Sequence, residues 1–166
     1  MYINKGKRDI LIFPKFNNLD KIQIIRNKYD KLSELIAPHI TLIFPFYDEM
    51  SNNQLVNKLT NILSNFSCFN VTFQEISISN DNYIFLNCIN GNDNIIKLHD
   101  KIYNEILPNH LNKSIKYIPH ITLGQTDNIS DLPKLADKFE TLIDAVSIEL
   151  IGANEESIII KEIKLK

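Results

Sequence analysis

Pro38-His39-Ile40-Thr41-Leu42 recurs letter for letter as Pro119-His120-Ile121-Thr122-Leu123. Alternate side chains of an extended strand point to opposite faces. Each copy, laid out as a strand, therefore puts His and Thr on one face and Ile and Leu on the other. The β-branched Ile and Thr favour that form. Pro lacks an N–H, which suits the first residue of a strand. Each copy reads as a strand with an apolar back and a reactive front.

The front face carries the chemistry. Two imidazoles that titrate near neutral pH can divide acid and base roles, one taking a proton while the other gives one. Two hydroxyls can donate hydrogen bonds to an oxyanion. His and Thr of one copy stand roughly 6.6–6.8 Å apart along the strand. A phosphate between two such strands could touch both Thr hydroxyls with an imidazole on either side. That layout suits acid–base catalysis on a phosphodiester. The candidate catalytic residues are His39 and His120, and the candidate phosphate-binding residues are Thr41 and Thr122. Their rings are expected roughly 5–8 Å apart, each a direct hydrogen bond from one phosphate.

Outward from the motifs, the chain alternates strand and helix. Asp9 to Phe13 is an apolar run stopped by Pro14, hence a buried strand. Leu19, Ile22, Arg26 and Tyr29 recur at helical spacing, with Leu32 and Leu35-Ile36 as a possible extension. The first His strand runs from Pro38 to Pro45. Ser51 is placed to cap a helix striped by Leu55, Leu59, Ile62 and Leu63. Val71 to Ile78 alternates imperfectly, as a strand with a bulge does. Asn80 to Asn82 turns, Tyr83 to Ile89 is a strand, and Asn90 to Asn92 turns again. Ile95 to Ile106 is a helix, and Tyr117 to Leu123 the second His strand. Asp131 and Pro133 are expected to open a fourth helix carrying Leu135, Phe139 and Leu142. Two strands, Val146 to Leu150 and Ser157 to Leu165, complete the chain.

Strand, helix, His strand, helix, strand thus occurs over residues 9–78 and again over 83–151. The two histidines are 120 − 39 = 81 positions apart. A duplicated unit brings equivalent strands together across a pseudo-twofold axis. The expected fold is α+β: two pseudo-symmetric lobes in one domain, each a mainly antiparallel sheet flanked by helices, with the cleft between them.

The 166 residues allow one domain with a real core. A composition of 44% hydrophobic and 23% charged residues is ordinary for a globular chain. The net charge of −2 excludes a protein that coats long nucleic acid. Only Arg8 and Arg26 offer a guanidinium fork, so an extended nucleic-acid footprint is not expected. A nucleotide or the end of an RNA fits better. Cys68 and Cys88 form no Cys-x-x-Cys and read as two buried free thiols. No apolar run is long enough for a signal peptide or membrane span, so a cytoplasmic monomer is expected.

Blander readings compete at each position. His39 or His120 alone could be a core histidine, and the Thr residues could reflect strand propensity. His99 reads as a partly buried structural histidine and His110 as a solvent-exposed one. A zinc site on His39, His120 and a third ligand lacks any paired-ligand spacing. No metal and no cofactor is expected. Phe44 reads as packing, while Phe46 or Tyr47 could stack a base at the cleft rim. Lys7 and Arg8 read as solvated charge, with a phosphate contact as the sharper alternative.

The paired His-x-Thr strands resemble the signature of the two-histidine (2H) phosphoesterase superfamily, which includes the bacterial RNA 2′,3′-cyclic phosphodiesterases, or 2′-5′ RNA ligases. Ile12-Phe13-Pro14, Arg26, Tyr29-Asp30, Pro38 to Leu42 and Pro45-Phe46 look like a small bacterial branch of that superfamily. The resemblance covers nearly the whole chain. It implies a phosphoesterase acting on a 2′,3′-cyclic phosphate or a 2′-5′ phosphodiester, with a nucleotide or RNA end as partner. Many relatives carry a basic or aromatic residue after the second motif. Here Gly124 and Gln125 stand there, and Gly124 is expected on the reactive face, leaving room for substrate. The competing class is a non-catalytic binder of nucleotides or RNA ends. A structural partner protein would need another purpose for its front-facing histidines.

Overall fold

A computed structural model describes residues 6–166; positions 1–5, part of the charged N-terminal stretch, lie outside the described residues. The elements are β1 (Arg8–Ile12), α1 (Leu19–Tyr29), β2 (Ile40–Phe46), α2 (Asn52–Leu63), β3 (Phe69–Ile78), β4 (Tyr83–Asn90), α3 (Asn92–Glu105), β5 (His120–Gln125), β6 (Phe139–Ile143), β7 (Ala145–Ile151) and β8 (Ser157–Lys164). The fold is α+β. The strands form one antiparallel sheet in the order β6-β3-β4-β5-β2-β1-β7-β8.

The order falls into two half-sheets, β6-β3-β4-β5 and β2-β1-β7-β8. They meet where Ile40 pairs with Ile121. Those residues are also 81 positions apart, so equivalent residues of the two motifs face each other, as a local twofold requires. Beyond that pair the halves diverge. β3 leaves the first unit to pair with β4 of the second, and β7 leaves the second to pair with β1 of the first. The exchange ties the halves together covalently as well as by packing.

The apolar backs of the motifs form the core. Ile40, Leu42, Ile121 and Leu123 are fully buried. Each such side chain contributes about 1.5–3 kcal/mol relative to leaving it in water. α1 packs on β5 and α3 packs on β2, so each half's helix covers the other half's His strand. Phe16 meets Phe73 and Phe139 edge-on in the core, just before α1.

Local signals explain most boundaries. Ser51 caps α2 with a complete capping box: its hydroxyl accepts from Gln54 N–H, and the Gln54 side chain accepts from Ser51 N–H. β3 is bulged between Phe73 and Ile76, where Glu75 adopts a φ of 72°. α1 stops at Tyr29 instead of reaching Ile36. The Asp30 carboxylate accepts from Leu32 N–H and the chain turns there.

One expected element is absent. The segment after Asp131 is not a helix: a 3₁₀ turn at Ile129–Asp131 leads through irregular chain to β6. Phe139 and Ile143 are buried on one side of that strand, and β3 supplies its hydrogen bonds from Phe69 to Phe73. Tertiary pairing overrides the helical spacing of Leu135, Phe139 and Leu142. Cys68 and Cys88 are free thiols, but half-buried rather than enclosed. Burial still pushes the Cys88 thiol up to about 11.

Candidate active site

The exposure of the two motifs repeats as the sequence does. Pro, Ile and Leu are buried in both copies, and His and Thr half-buried in both. The antiparallel pairing of Ile40 with Ile121 brings the two motifs side by side. His39 of one copy and Thr122 of the other line the same cavity.

Both rings are held the same way. His39 Nδ1 lies 2.8 Å from Ala37 O, and His120 Nδ1 lies 2.7 Å from Ile118 O. A carbonyl oxygen can only accept, so Nδ1 carries the proton and donates it. In the neutral ring that leaves the Nε2 lone pair free. Ala37 and Ile118 are again 81 positions apart. Both imidazoles have proton affinities below the ordinary histidine value, chiefly because burial disfavours the charged form. For His39 the positive charge of Arg26 adds to the depression and the Asp30 carboxylate opposes it. For His120 burial is opposed by the hydrogen bond to the Ile118 carbonyl.

Arg26 is fully buried in α1. Its Nε donates to Asp30 Oδ2 at 2.9 Å and its Nη1 to Gln23 at 3.1 Å, while Nη2 has no partner among the described residues. Asp30, His39 and Thr122 line a cavity of about 620 Å³, together with Tyr83 and Glu155. On the β5 side the ring of Phe85 lies 3.8 Å from that of His120, and Tyr83 stacks parallel to Phe85 at 6.4 Å. A row of three rings, Tyr83–Phe85–His120, thus runs along the front face. Phe13 approaches His39 more loosely, at 6.1 Å. Tyr83 and Phe85 were invisible as site residues in the sequence. Their alternation in β4 is legible, but not that β4 would lie beside β5.

Several sequence expectations shift. Gly124 does not leave room for substrate through a missing side chain. A bulge after Thr122 brings it opposite Ile84, and a Cβ there would lie 2.3 Å from the Tyr29 carbonyl; its φ of 139° also favours glycine. The same bulge occurs in β2, where Ile43 pairs with Ile10. Phe46 is buried, and Tyr47 lines a different cavity of about 470 Å³ near His110. Neither borders the His39 cavity. Arg8 is fully buried, bonded to Asn52 and Asp48 O, with its guanidinium over the Phe46 ring. His110 is half-buried against Asp48 at 2.8 Å, not free in solvent. His99 is a buried structural histidine, stacked on Tyr117 at 3.8 Å. Among the described residues, no three His, Cys, Asp or Glu side chains gather as a metal site would need.

The class these features define is the two-histidine phosphoesterase fold. The family model of the 2′-5′ RNA ligase superfamily matches residues 14–150, and the chain belongs to that family. An Oceanobacillus iheyensis protein named for an inferred phosphoesterase activity is 30% identical over 135 residues, 76% of each chain. A Geobacillus kaustophilus protein named likewise is 29% identical over 141 residues, covering 82% of this chain and 77% of its own. Among solved structures, E. coli LigT complexed with 3′-AMP superposes with a TM-score of 0.75 over 97% of this chain and 98% of its own, at 13% identity. A Thermus thermophilus protein, TT0787, superposes with a TM-score of 0.65 over 96% and 97% of the two chains at 10% identity. At such identities the superpositions speak for the fold.

Proposed function

We propose that this chain is a metal-independent phosphoesterase that hydrolyses 2′,3′-cyclic phosphates or 2′-5′ phosphodiesters of nucleotides or RNA ends. The observation that carries the reading is the pairing of Ile40 with Ile121, which gathers two identically held imidazoles and two hydroxyls on one face. One Nε2 takes a proton from water as its oxygen bonds to phosphorus. The bond from phosphorus to the leaving sugar oxygen breaks, and the other Nε2–H protonates that oxygen. Thr41 and Thr122 donate to the non-bridging oxygens. Burial depresses the proton affinity of both imidazoles and so favours the neutral ring that the base must be, while the acid holds its second proton against that depression. The Tyr83–Phe85 rings suit a nucleobase. The E. coli LigT structures holding 3′-AMP and ATP support a nucleotide as the ligand class.

The test is turnover of a 2′,3′-cyclic nucleotide by the full chain, with and without EDTA. Activity that survives chelation and disappears in His39→Ala and His120→Ala is the expected result. Activity abolished by chelation and restored by a divalent ion would replace this mechanism with a metal-assisted one.

A further inference from the structure

The seam between the two half-sheets is narrow. Among the described residues β2 and β5 share one register pair, Ile40–Ile121, while the outer side of each strand pairs along its length, β2 with β1 and β5 with β4. Past Ile40 the backbone of β2 has no register partner on β5. Two phenols of the second half reach that backbone instead. The Tyr117 hydroxyl donates to the Thr41 carbonyl at 2.8 Å, and the Tyr103 hydroxyl accepts from the Phe44 N–H at 3.2 Å. A carbonyl and an N–H of β2 thus take side chains as partners where the ladder between the halves has ended.

The phenols are themselves fixed. The Tyr117 ring lies parallel on the buried His99 ring of α3 at 3.8 Å, and Tyr103 meets the same imidazole edge-on at 4.9 Å. His99 Nδ1 lies 2.8 Å from an Asp100 carboxylate oxygen. Burial holds the Tyr117 phenol well above its ordinary value, so it keeps its proton at any working pH. The first half has no equivalent device. The positions 81 earlier in the chain are Ile22 and Ile36, which carry no hydroxyl.

Resting on the phosphoesterase reading, we infer that Tyr117 is a positioning residue: its bond to the Thr41 carbonyl, backed by His99 and Tyr103, holds the Thr41 hydroxyl where it donates to the phosphate. A donor aimed at developing charge must sit within about 0.5 Å of its productive position. Thr41 is placed by its register with Leu11 of β1. The Tyr117 bond removes the remaining freedom of its peptide. Thr122 is placed by its register with Phe85 of β4 and has no phenol at the equivalent point. The tie therefore serves one copy of the motif and not the other.

The experiment measures kcat and KM for adenosine 2′,3′-cyclic phosphate with Tyr117→Phe placed in three backgrounds: wild type, Thr41→Ala and Thr122→Ala. The variant keeps the ring on His99 and removes only the hydroxyl. In the wild type we expect kcat to fall about three- to tenfold, the worth of one hydrogen bond, with KM within about twofold, because the positioned donor acts in the transition state. The same loss should recur in Thr122→Ala and vanish in Thr41→Ala, where no hydroxyl is left to position. A loss of equal size in all three backgrounds would reduce Tyr117 to a structural residue and overturn the inference, as would an unchanged kcat in the wild type. If Tyr117→Phe does not fold, Tyr103→Phe reads the same tie three residues along β2, with the same pattern expected and the same outcomes against it. No turnover by the wild-type chain would overturn the phosphoesterase reading, and the inference with it.

Discussion

The same five residues lead into β2 and β5, at 38–42 and 119–123, and are treated alike up to the ring nitrogens. Pro and the two apolar side chains are buried, Nδ1 is tied to the carbonyl two residues back, and Nε2 is left free. What surrounds them differs. His39 of the first copy feels Arg26 of α1 and Asp30, which caps that helix. His120 sits against the flat ring of Phe85. Duplication reproduces the local geometry, because geometry within a strand is set by the strand's own residues. It does not reproduce the environment, because each copy is bordered by elements that have diverged. Two chemically identical side chains can then take different proton-transfer roles.

The largest effect should come from removing either imidazole. His39→Ala and His120→Ala are each expected to lower turnover by roughly 10²–10⁴. The double variant should lose less than the product of the two, since both act in one step. The wild-type pH profile should be a bell. Its acidic limb should fall below the usual histidine range, because both proton affinities are depressed. If one single variant kept near-wild-type rates, the two strands would not share a mechanism.

Arg26→Met attacks the asymmetry itself. It leaves the half-buried Asp30 carboxylate without its guanidinium, and should cost about 3–5 kcal/mol of stability by denaturant unfolding. In the surviving fold His39 loses a repelling positive charge and keeps an attracting negative one. Its titration by NMR should move to higher pH while that of His120 stays in place. Equal movement of both would dissolve the distinction between the copies.

A third measurement uses a group found only in the β2 half. Asp9 on β1 and Glu149 on β7 are register partners, both buried. Burial, then the charge of Glu149, raises the Asp9 carboxyl to about 8 from 3.8. The native state therefore holds a proton that the unfolded chain releases above its own value. The associated stability is complete below about pH 4, declines as pH rises, and is lost above about pH 8. Thermal melts should show that decline in the wild type, and a flatter profile in Asp9→Asn.

The smallest effect belongs to the hydroxyls. Thr41→Ala and Thr122→Ala should each lower kcat by about tenfold, less than a lost imidazole, because one neutral donor goes while its counterpart stays. Thr122, unlike Thr41, lines the same cavity as His39. Its loss should combine non-additively with His39→Ala more than Thr41→Ala does, which a double-mutant cycle would read directly.

The repeat, the His-x-Thr alternation, the Ser51 cap, the β3 bulge and the α+β class were legible in the residues. All of them depend on contacts within a few positions, where side-chain period and backbone preference act. The sequence by itself determined that two reactive strand faces exist and what chemistry they could carry. Tertiary structure alone decided the rest, for one physical reason: strand neighbours are chosen by long-range pairing. That pairing turned residues 139–143 from an expected helix into β6 beside β3. It set the two motifs side by side at Ile40 and Ile121, and laid Tyr83 and Phe85 along His120. It also buried Arg26 behind His39 and filled the space at Gly124 with the backbone of Tyr29.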